Sequence, residues 1–239
     1  MRLIWHAETR HPTDLDDAAL ADLYAFGKGP VLRANFVSTL DGAGTGPDHL
    51  TDSINTPADN RVFAVQRRLA DAVVVGAGTA RAEGYRRARR RDGPGPTMVV
   101  VSNSGRVPDG IRERRSGDGE AILVTCAAAP ADNLAAAPEV LGAENVWVLG
   151  ESEVDLTATV ARLRSAGFAH LLAEGGPTLF SSLLAADLVD EVALTLVPTL
   201  VGGDLTRITH GTGLDVALRG RHLCEADGTV LGLWTVDRL

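Results

Sequence analysis

Two glycine turns carry most of the chemistry that can be read from this chain. The first, Val75-Gly76-Ala77-Gly78-Thr79, follows an apolar run over 72–75, and the second, Glu174-Gly175-Gly176-Pro177-Thr178-Leu179, follows another over 168–173. A buried strand that breaks into a glycine turn and then a helix presents backbone N–H groups to a phosphate, so Gly76, Gly78, Thr79, Gly175, Gly176, Pro177, Thr178 and Leu179 read as cofactor-binding. Either turn alone also reads as an ordinary strand-to-helix loop. The first spells Gly76-x-Gly78-x-x-Arg81 and lacks the third glycine of a Rossmann fingerprint. The next apolar run, 97–101, ends in Ser102 and reaches Arg106 without an acid for a ribose 2′-hydroxyl. Neutral donors and an arginine there suit the 2′-phosphate of NADPH.

Two carboxylates stand beside such turns. Glu174 precedes the double glycine, where it would accept hydrogen bonds from sugar hydroxyls or serve as a salt-bridged loop acid. Asp41 follows the first long strand, where it would contact the sugar or relay a proton, although Asp41-Gly42 is equally a turn signal. Between Arg81 and Asp92 six arginines (81, 86, 87, 89, 90, 91) face only two acids, Glu83 and Asp92. Such a cluster suits a small phosphorylated substrate, or forms a solvated loop.

The elements that position these residues follow from hydropathy and punctuation. A helix capped by Thr13 is expected to run to about Phe26, a strand over 30–39, and a helix over 57–69 with Thr56 as cap and Pro57 in its first turn. Strands follow at 72–75, 97–101, 120–125 and 145–149, then a helix over 155–166 closed by Gly167, a strand over 168–173 and a helix over 177–186. The last three strands (189–196, 219–225 and 230–236) include a hairpin turning at Asp227-Gly228. This pattern predicts an α/β fold, a mostly parallel central sheet flanked by helices with an antiparallel C-terminal hairpin. Its 239 residues, without a linker or repeat, read as a single domain over 1–239, a peripheral segment over 1–29 preceding the core over 30–237.

The formal charge of −8 argues against nucleic acid as a partner. No apolar run reaches membrane-spanning length and only Cys126 and Cys224 occur, so a cytoplasmic protein with reduced thiols, away from membranes, is expected. The six histidines (6, 11, 49, 170, 210 and 222) lack zinc-ligand spacing, so no metal is expected, and His170 reads as a structural residue of its strand.

Four marks, Ser38-Thr39-Leu40-Asp41-Gly42, Val75 to Thr79, Glu174 to Leu179, and Val189-Asp190-Glu191 leading to Val197-Pro198 and Val201-Gly202-Gly203, occur in one order. By them the chain resembles, over about residues 30–237, the riboflavin-biosynthesis pyrimidine reductases, the reductase half of the bifunctional deaminase-reductase, with its dihydrofolate-reductase-like fold. The resemblance implies NADPH-dependent reduction of the ribosyl group of a 5-amino-6-(5-phosphoribosylamino)uracil-type substrate to ribityl. It puts Thr79, Ser102 and the 175–182 segment on the cofactor, Glu174 on the substrate, and Arg67 and Arg89 on substrate phosphate or ribose. It also implies a homodimer, to which the apolar strand Val230 to Val236 contributes.

The chain departs from the family at Ala82-Glu83-Gly84-Tyr85 and the arginines that follow, and at Ser53 where a tryptophan is usual. Two alternatives therefore stand beside the pyrimidine reductase: a reductase of dihydrofolate or another pterin-like substrate, and a non-catalytic NADPH-binding homologue. The zinc deaminase signature His-x-Glu with Pro-Cys-x-x-Cys is absent.

Overall fold

A computed structural model describes residues 1–8, 13–90, 93–211 and 213–238. Arg91 and Asp92 of the arginine-rich segment, and His11, lie outside the described residues. In chain order the elements begin with β1 (Arg2–His6), β2 (Thr13–Asp14), α1 (Asp17–Leu23), β3 (Val31–Thr39), α2 (Pro57–Leu69), β4 (Ala72–Gly76) and α3 (Ala77–Ala82). A two-residue ribbon, β5 (Arg89–Arg90) and β6 (Gly93–Pro94), leads to β7 (Thr97–Val101), α4 (Asp109–Arg112), β8 (Ala121–Thr125) and α5 (Ala131–Leu141). Then come β9 (Val146–Val148), α6 (Leu156–Ser165), β10 (His170–Ala173), α7 (Pro177–Ala185), β11 (Glu191–Val197), β12 (Leu218–Ala226) and β13 (Thr229–Val236).

One sheet holds all but the ribbon, in the order β2-β1-β12-β13-β11-β3-β10-β4-β7-β8-β9. From β11 to β9 every pairing is parallel, and from β11 through β13 and β12 to β1 every pairing is antiparallel. This is the α/β architecture with an antiparallel end that the hydropathy pattern predicts. The central strands are apolar on both faces because helices cover both: α6 and α7 pack on Leu32, Val74 and Leu171, and α3 and α5 on the opposite face over Val73, Val75 and Leu123. The β12–β13 hairpin turns at Asp227 and Gly228, both at positive φ (52° and 80°), as its Asp-Gly pair requires.

Three expectations need correction. Helix α1 starts at Asp17, not after Thr13, because the Asp16 side chain accepts from Ala19 N–H, while Thr13 and Asp14 pair with Leu3 and Arg2. The segment before residue 30 is not peripheral: β1 extends the sheet beside β12, and Leu20 and Tyr24 are fully buried over Leu231 and Leu233. Helix α5 was not foreseen, since Pro130 stands at its start and Pro138 inside it.

Beneath α1 and α2 the core is polar. Arg33 of β3, wholly buried, donates through Nε and Nη2 to Glu191 of β11 and through Nη1 to the Tyr24 carbonyl. Arg221 meets the other Glu191 oxygen. Next to them the His222 ring is buried, edge-on to Tyr24 at 4.8 Å. Burial, reinforced by the charges of Arg221, His6 and Arg33, holds the His222 imidazole down to about 3 from 6.5.

The unfolded chain therefore takes up a proton that the folded chain refuses. The stabilisation is complete above pH 6.5 and falls as pH drops toward 3, by up to about 1.4 kcal/mol per pH unit. In urea unfolding between pH 7 and 4.5, His222→Phe is expected to flatten the parent's loss of stability. Parallel slopes for parent and variant would assign the acid sensitivity elsewhere.

Candidate active site

The parallel strands β3, β10 and β4 end together, and a cleft of about 1020 Å³ opens over their C-terminal ends. Its floor is the meeting of the two glycine turns. Gly76 N–H donates to the Gly175 carbonyl at 2.7 Å, and a Cβ built on Gly176 would stand 2.3 Å from Thr79 Oγ1. Gly175 holds φ +93° with the Phe36 ring 3.1 Å from where its Cβ would sit, so the left-handed backbone and the close approach both demand glycine. The Gly175–Gly176 peptide is cis.

Helices α3 and α7 follow Gly76 and Gly176, which offer no side-chain cap to the N–H groups of their first turns; α7 opens on Pro177, which has none of its own. Gly76, Gly78, Thr79, Gly176, Pro177, Thr178 and Leu179 all line the cleft. Gly78 has nothing within 4 Å of a hypothetical Cβ, so its missing side chain leaves open space on the cleft wall.

The cleft is also lined by a charged pair that the sequence shows only as two separate residues. Glu174, at the end of β10, is 7% exposed and takes a bidentate hydrogen bond from Arg67 of α2, Nε to Oε1 at 2.7 Å and Nη2 to Oε2 at 2.5 Å. The Arg67 guanidinium lies 4.3 Å above the Phe63 ring and 5.2 Å from that of Tyr85. Burial pushes the Arg67 guanidinium down and the Glu174 carboxylate more than offsets it, so Arg67 is raised overall. Burial and then Glu174 raise the Tyr85 phenol well above its ordinary value.

Elsewhere the placements differ from those expected. Asp41 lies outside the cleft lining: one carboxylate oxygen takes the Thr39 hydroxyl and the other accepts from Val201 and Gly202 N–H at 3.1 and 2.7 Å. Those bonds, Thr39's first, hold its carboxyl below the usual range. Asp41 thus ties the β3 turn to the 201–203 loop, which explains why Asp41-Gly42 and Val201-Gly202-Gly203 occur together.

The arginines are mostly spent within the protein. Arg86 pairs with Glu113 at 3.2 Å, Arg87 donates to the Ile111 carbonyl at 3.0 Å, Arg89 pairs with Asp118, and Arg90 donates to the Ala70 carbonyl at 2.5 Å. Arg86, Arg87 and Arg89 line the cleft and Arg90 does not; the Arg89 side chain is 51% exposed. Ser102 is buried at the end of β7, its hydroxyl 3.2 Å from that of Ser104, and is not among the lining residues. The pairing of Gly76 with Val101 sets it beside the start of α3. His170 stacks on Phe26 at the opposite end of β10 from the cleft.

Sequence reading missed Asn35, Asp59, Phe63 and Tyr85 as lining residues. For α2 the signal was available, because Asp59, Phe63 and Arg67 recur every four residues and share one helix face. Among the described residues no cluster of three or more metal-ligating side chains occurs, and no helix is long and apolar enough to cross a membrane.

Comparison with known proteins gives the same direction. The family model described as the RibD C-terminal domain matches residues 30–231. A 2,5-diamino-6-ribosylamino-4(3H)-pyrimidinone 5′-phosphate reductase of Archaeoglobus fulgidus is 33% identical over 186 residues, 73% of this chain and 83% of the relative. Its counterpart in Methanothermobacter thermautotrophicus is 32% identical over 194 residues, 78% and 86% of the two chains. Among solved structures, a pyrimidine reductase-like protein from Corynebacterium diphtheriae superposes with a TM-score of 0.76 at 20% identity, covering 88% of this chain and 93% of that one. A riboflavin biosynthesis reductase from Saccharomyces cerevisiae gives 0.62 at 15% identity, with 90% and 97% covered. These superpositions show that the chain shares the fold of those two reductases, the α/β architecture that the sequence implies.

Proposed function

The chain belongs to the RibD C-terminal domain family, and from that premise we propose that it is an NADPH-dependent reductase converting the ribosyl group of a 6-(5-phosphoribosylamino)pyrimidine to ribityl, in riboflavin biosynthesis. The observation that carries this reading is one cleft lined both by two glycine-built helix starts without side-chain caps and by the Arg67–Glu174 pair. When bound, NADPH would supply the hydride for reduction at C1′. The residues present fit it: the N–H groups of Thr178 and Leu179 and those at 77–79 suit a pyrophosphate, and the open flank of Gly78 leaves room for close approach. Ser102, buried beside the start of α3, and the exposed Arg106, 4.0 Å from Asp109, are the groups this reading assigns to a 2′-phosphate.

Arg67 fixes the orientation of Glu174, whose remaining lone pairs accept ribose hydroxyls, while the unused guanidinium edge and the half-exposed Arg89 serve the 5′-phosphate. Asp41 acts at one remove, by holding the 201–203 loop. An acidic chain of this kind works on a small molecule in the cytoplasm, without nucleic acid. In steady-state assays, NADPH oxidation is expected with the phosphorylated ribosylaminopyrimidine, and at a far lower rate with NADH. Turnover of dihydrofolate in its place would move the chain to the pterin reading, and cofactor binding without any turnover to a non-catalytic role.

The protein works as a homodimer in this reading. Strand β13 lies inside the sheet, and α1 and α2 cover one of its faces over Leu231 and Leu233. The other face carries half-exposed Trp234 beside Trp5, 44% exposed, which packs over Gly220. A second copy would cover that stripe. Sedimentation at micromolar concentration should give twice the chain mass, and a 25.0 kDa species would contradict the assignment.

A further inference from the structure

Beside the cleft lies a smaller cavity of about 110 Å³, lined by Arg86, Arg87, Arg89 and Arg115 with Glu113 and Asp118. Four guanidiniums against two carboxylates give it a formal charge of +2, in a chain whose total is −8. Arg86, Arg87 and Arg89 also border the cleft, whereas Arg115, Glu113 and Asp118 do not. Both carboxylates are already taken. Glu113 pairs with Arg86 at 3.2 Å and Arg115 at 2.7 Å, and Asp118 pairs with Arg89 and accepts from the Arg115 backbone N–H at 2.7 Å.

Arg87 has no such partner. Its side chain is 5% exposed and its Nε donates to the Ile111 carbonyl, but among the described residues no acceptor lies within hydrogen-bond distance of its terminal nitrogens. The one carboxylate within 4.0 Å, again among the described residues, is that of Glu120, 3.9 Å from Nη1, half-exposed and paired with Arg114. Burial and then repulsion from Arg114 lower the proton affinity of Arg87, and Glu120 and Asp118 do not make up for it. The placement is fixed by the fold. A Cβ on Gly110 would stand 2.2 Å from the Tyr85 carbonyl oxygen, so glycine there lets α4 close on the 85–87 segment and holds Arg87 against Ile111. A buried guanidinium at a cavity wall costs the fold free energy until an anion meets it.

We propose that this cavity is a second anion site, separate from the cleft, which takes a phosphate group on Arg87 with the half-exposed Arg86 and Arg115 as its outer ligands. Size and charge both select that group. The cavity has the space of roughly three or four waters, enough for a phosphate and too little for a nucleoside. A phosphate monoester near neutral pH carries about −1.5 to −2 and balances the formal +2, where a carboxylate would leave half of it unmet. Planar guanidiniums meet its oxygens in pairs.

Calorimetry with inorganic phosphate and with ribose 5-phosphate, at constant ionic strength, tests this without any turnover and so independently of the reductase reading. Arg115 borders only the small cavity and Arg67 only the cleft, so two variants locate the ion. The expected result is a component of binding that Arg115→Met weakens about tenfold, that Arg87→Met abolishes, and that Arg67→Met leaves unchanged. Phosphate held in the cleft is the component lost in Arg67→Met. Binding that only Arg67→Met affects, binding that no variant changes, or no binding by the parent at millimolar phosphate overturns the proposal. If Arg87→Met or Arg67→Met fails to fold, Arg115→Met decides alone: the tenfold loss supports the site and an unchanged affinity overturns it. Within the component that depends on Arg115, binding of inorganic phosphate alone assigns the site to the free ion, and equal binding of ribose 5-phosphate assigns it to esters.

Discussion

Arg67→Met is expected to lower kcat/KM by about a hundredfold and to destabilise the fold, and only the second loss should be recovered in the double variant Arg67→Met/Glu174→Gln. The stability loss arises because the Glu174 side chain, 2% exposed, is left as a buried carboxylate without its bidentate partner. Breaking a buried pair from one side costs about 3–5 kcal/mol. Because the Arg67 side chain keeps 26% exposure, about 2–3 kcal/mol is the better expectation here. Making Glu174 neutral removes the stranded charge and with it most of that cost.

The activity loss has another origin: ionic hydrogen bonds to phosphate or ribose, worth about 1.5–3 kcal/mol each, which appear directly in kcat/KM. No neutral pair restores them. Urea unfolding and steady-state kinetics on the three proteins separate the two effects. A double variant that regains both stability and turnover would make the pair purely structural.

The largest loss of stability is expected for Arg33→Met. Its guanidinium is fully buried, donates at 2.8 and 2.6 Å to Glu191 and at 2.7 Å to the Tyr24 carbonyl, and lies 4.1 Å from the Phe26 ring centre. Removing it leaves Glu191 with Arg221 alone and the Tyr24 carbonyl unmet, at a cost of about 3–5 kcal/mol. The measurement is the urea midpoint at constant m value. A loss below about 1 kcal/mol would show that the cluster repacks freely.

The parallel half of the fold was legible because its strands are apolar on both faces and its helices start at recognisable caps, as at Thr56 and Asp155. The N-terminal strand escaped notice because Arg2 to His6 alternates poorly across the irregular pairing between Leu3 and Trp5. Both glycine turns were legible, since glycine is demanded by backbone geometry that local sequence reflects.

The charges were not legible in the same way. Whether an arginine meets a ligand or a carboxylate depends on partners far along the chain, such as Glu174 for Arg67 or Asp118 for Arg89. Asp59 carries no signal of its own in the sequence, and only its burial and its hydrogen bond from Thr195 of β11 set it apart. Asp41 is another case, since beside its turn its carboxylate accepts from Val201 and Gly202 N–H, 160 residues along the chain.

Hydride transfer to the sugar carbon is the central claim, and isotope transfer tests it most directly. The protein is incubated with NADPH deuterated at the transferable C4 position and 2,5-diamino-6-ribosylamino-4(3H)-pyrimidinone 5′-phosphate, and the product is examined by mass spectrometry and NMR. One deuterium at C1′ of a ribityl product is the expected result. A product without deuterium at C1′, or consumption of the labelled cofactor only when dihydrofolate replaces the pyrimidine, would contradict it.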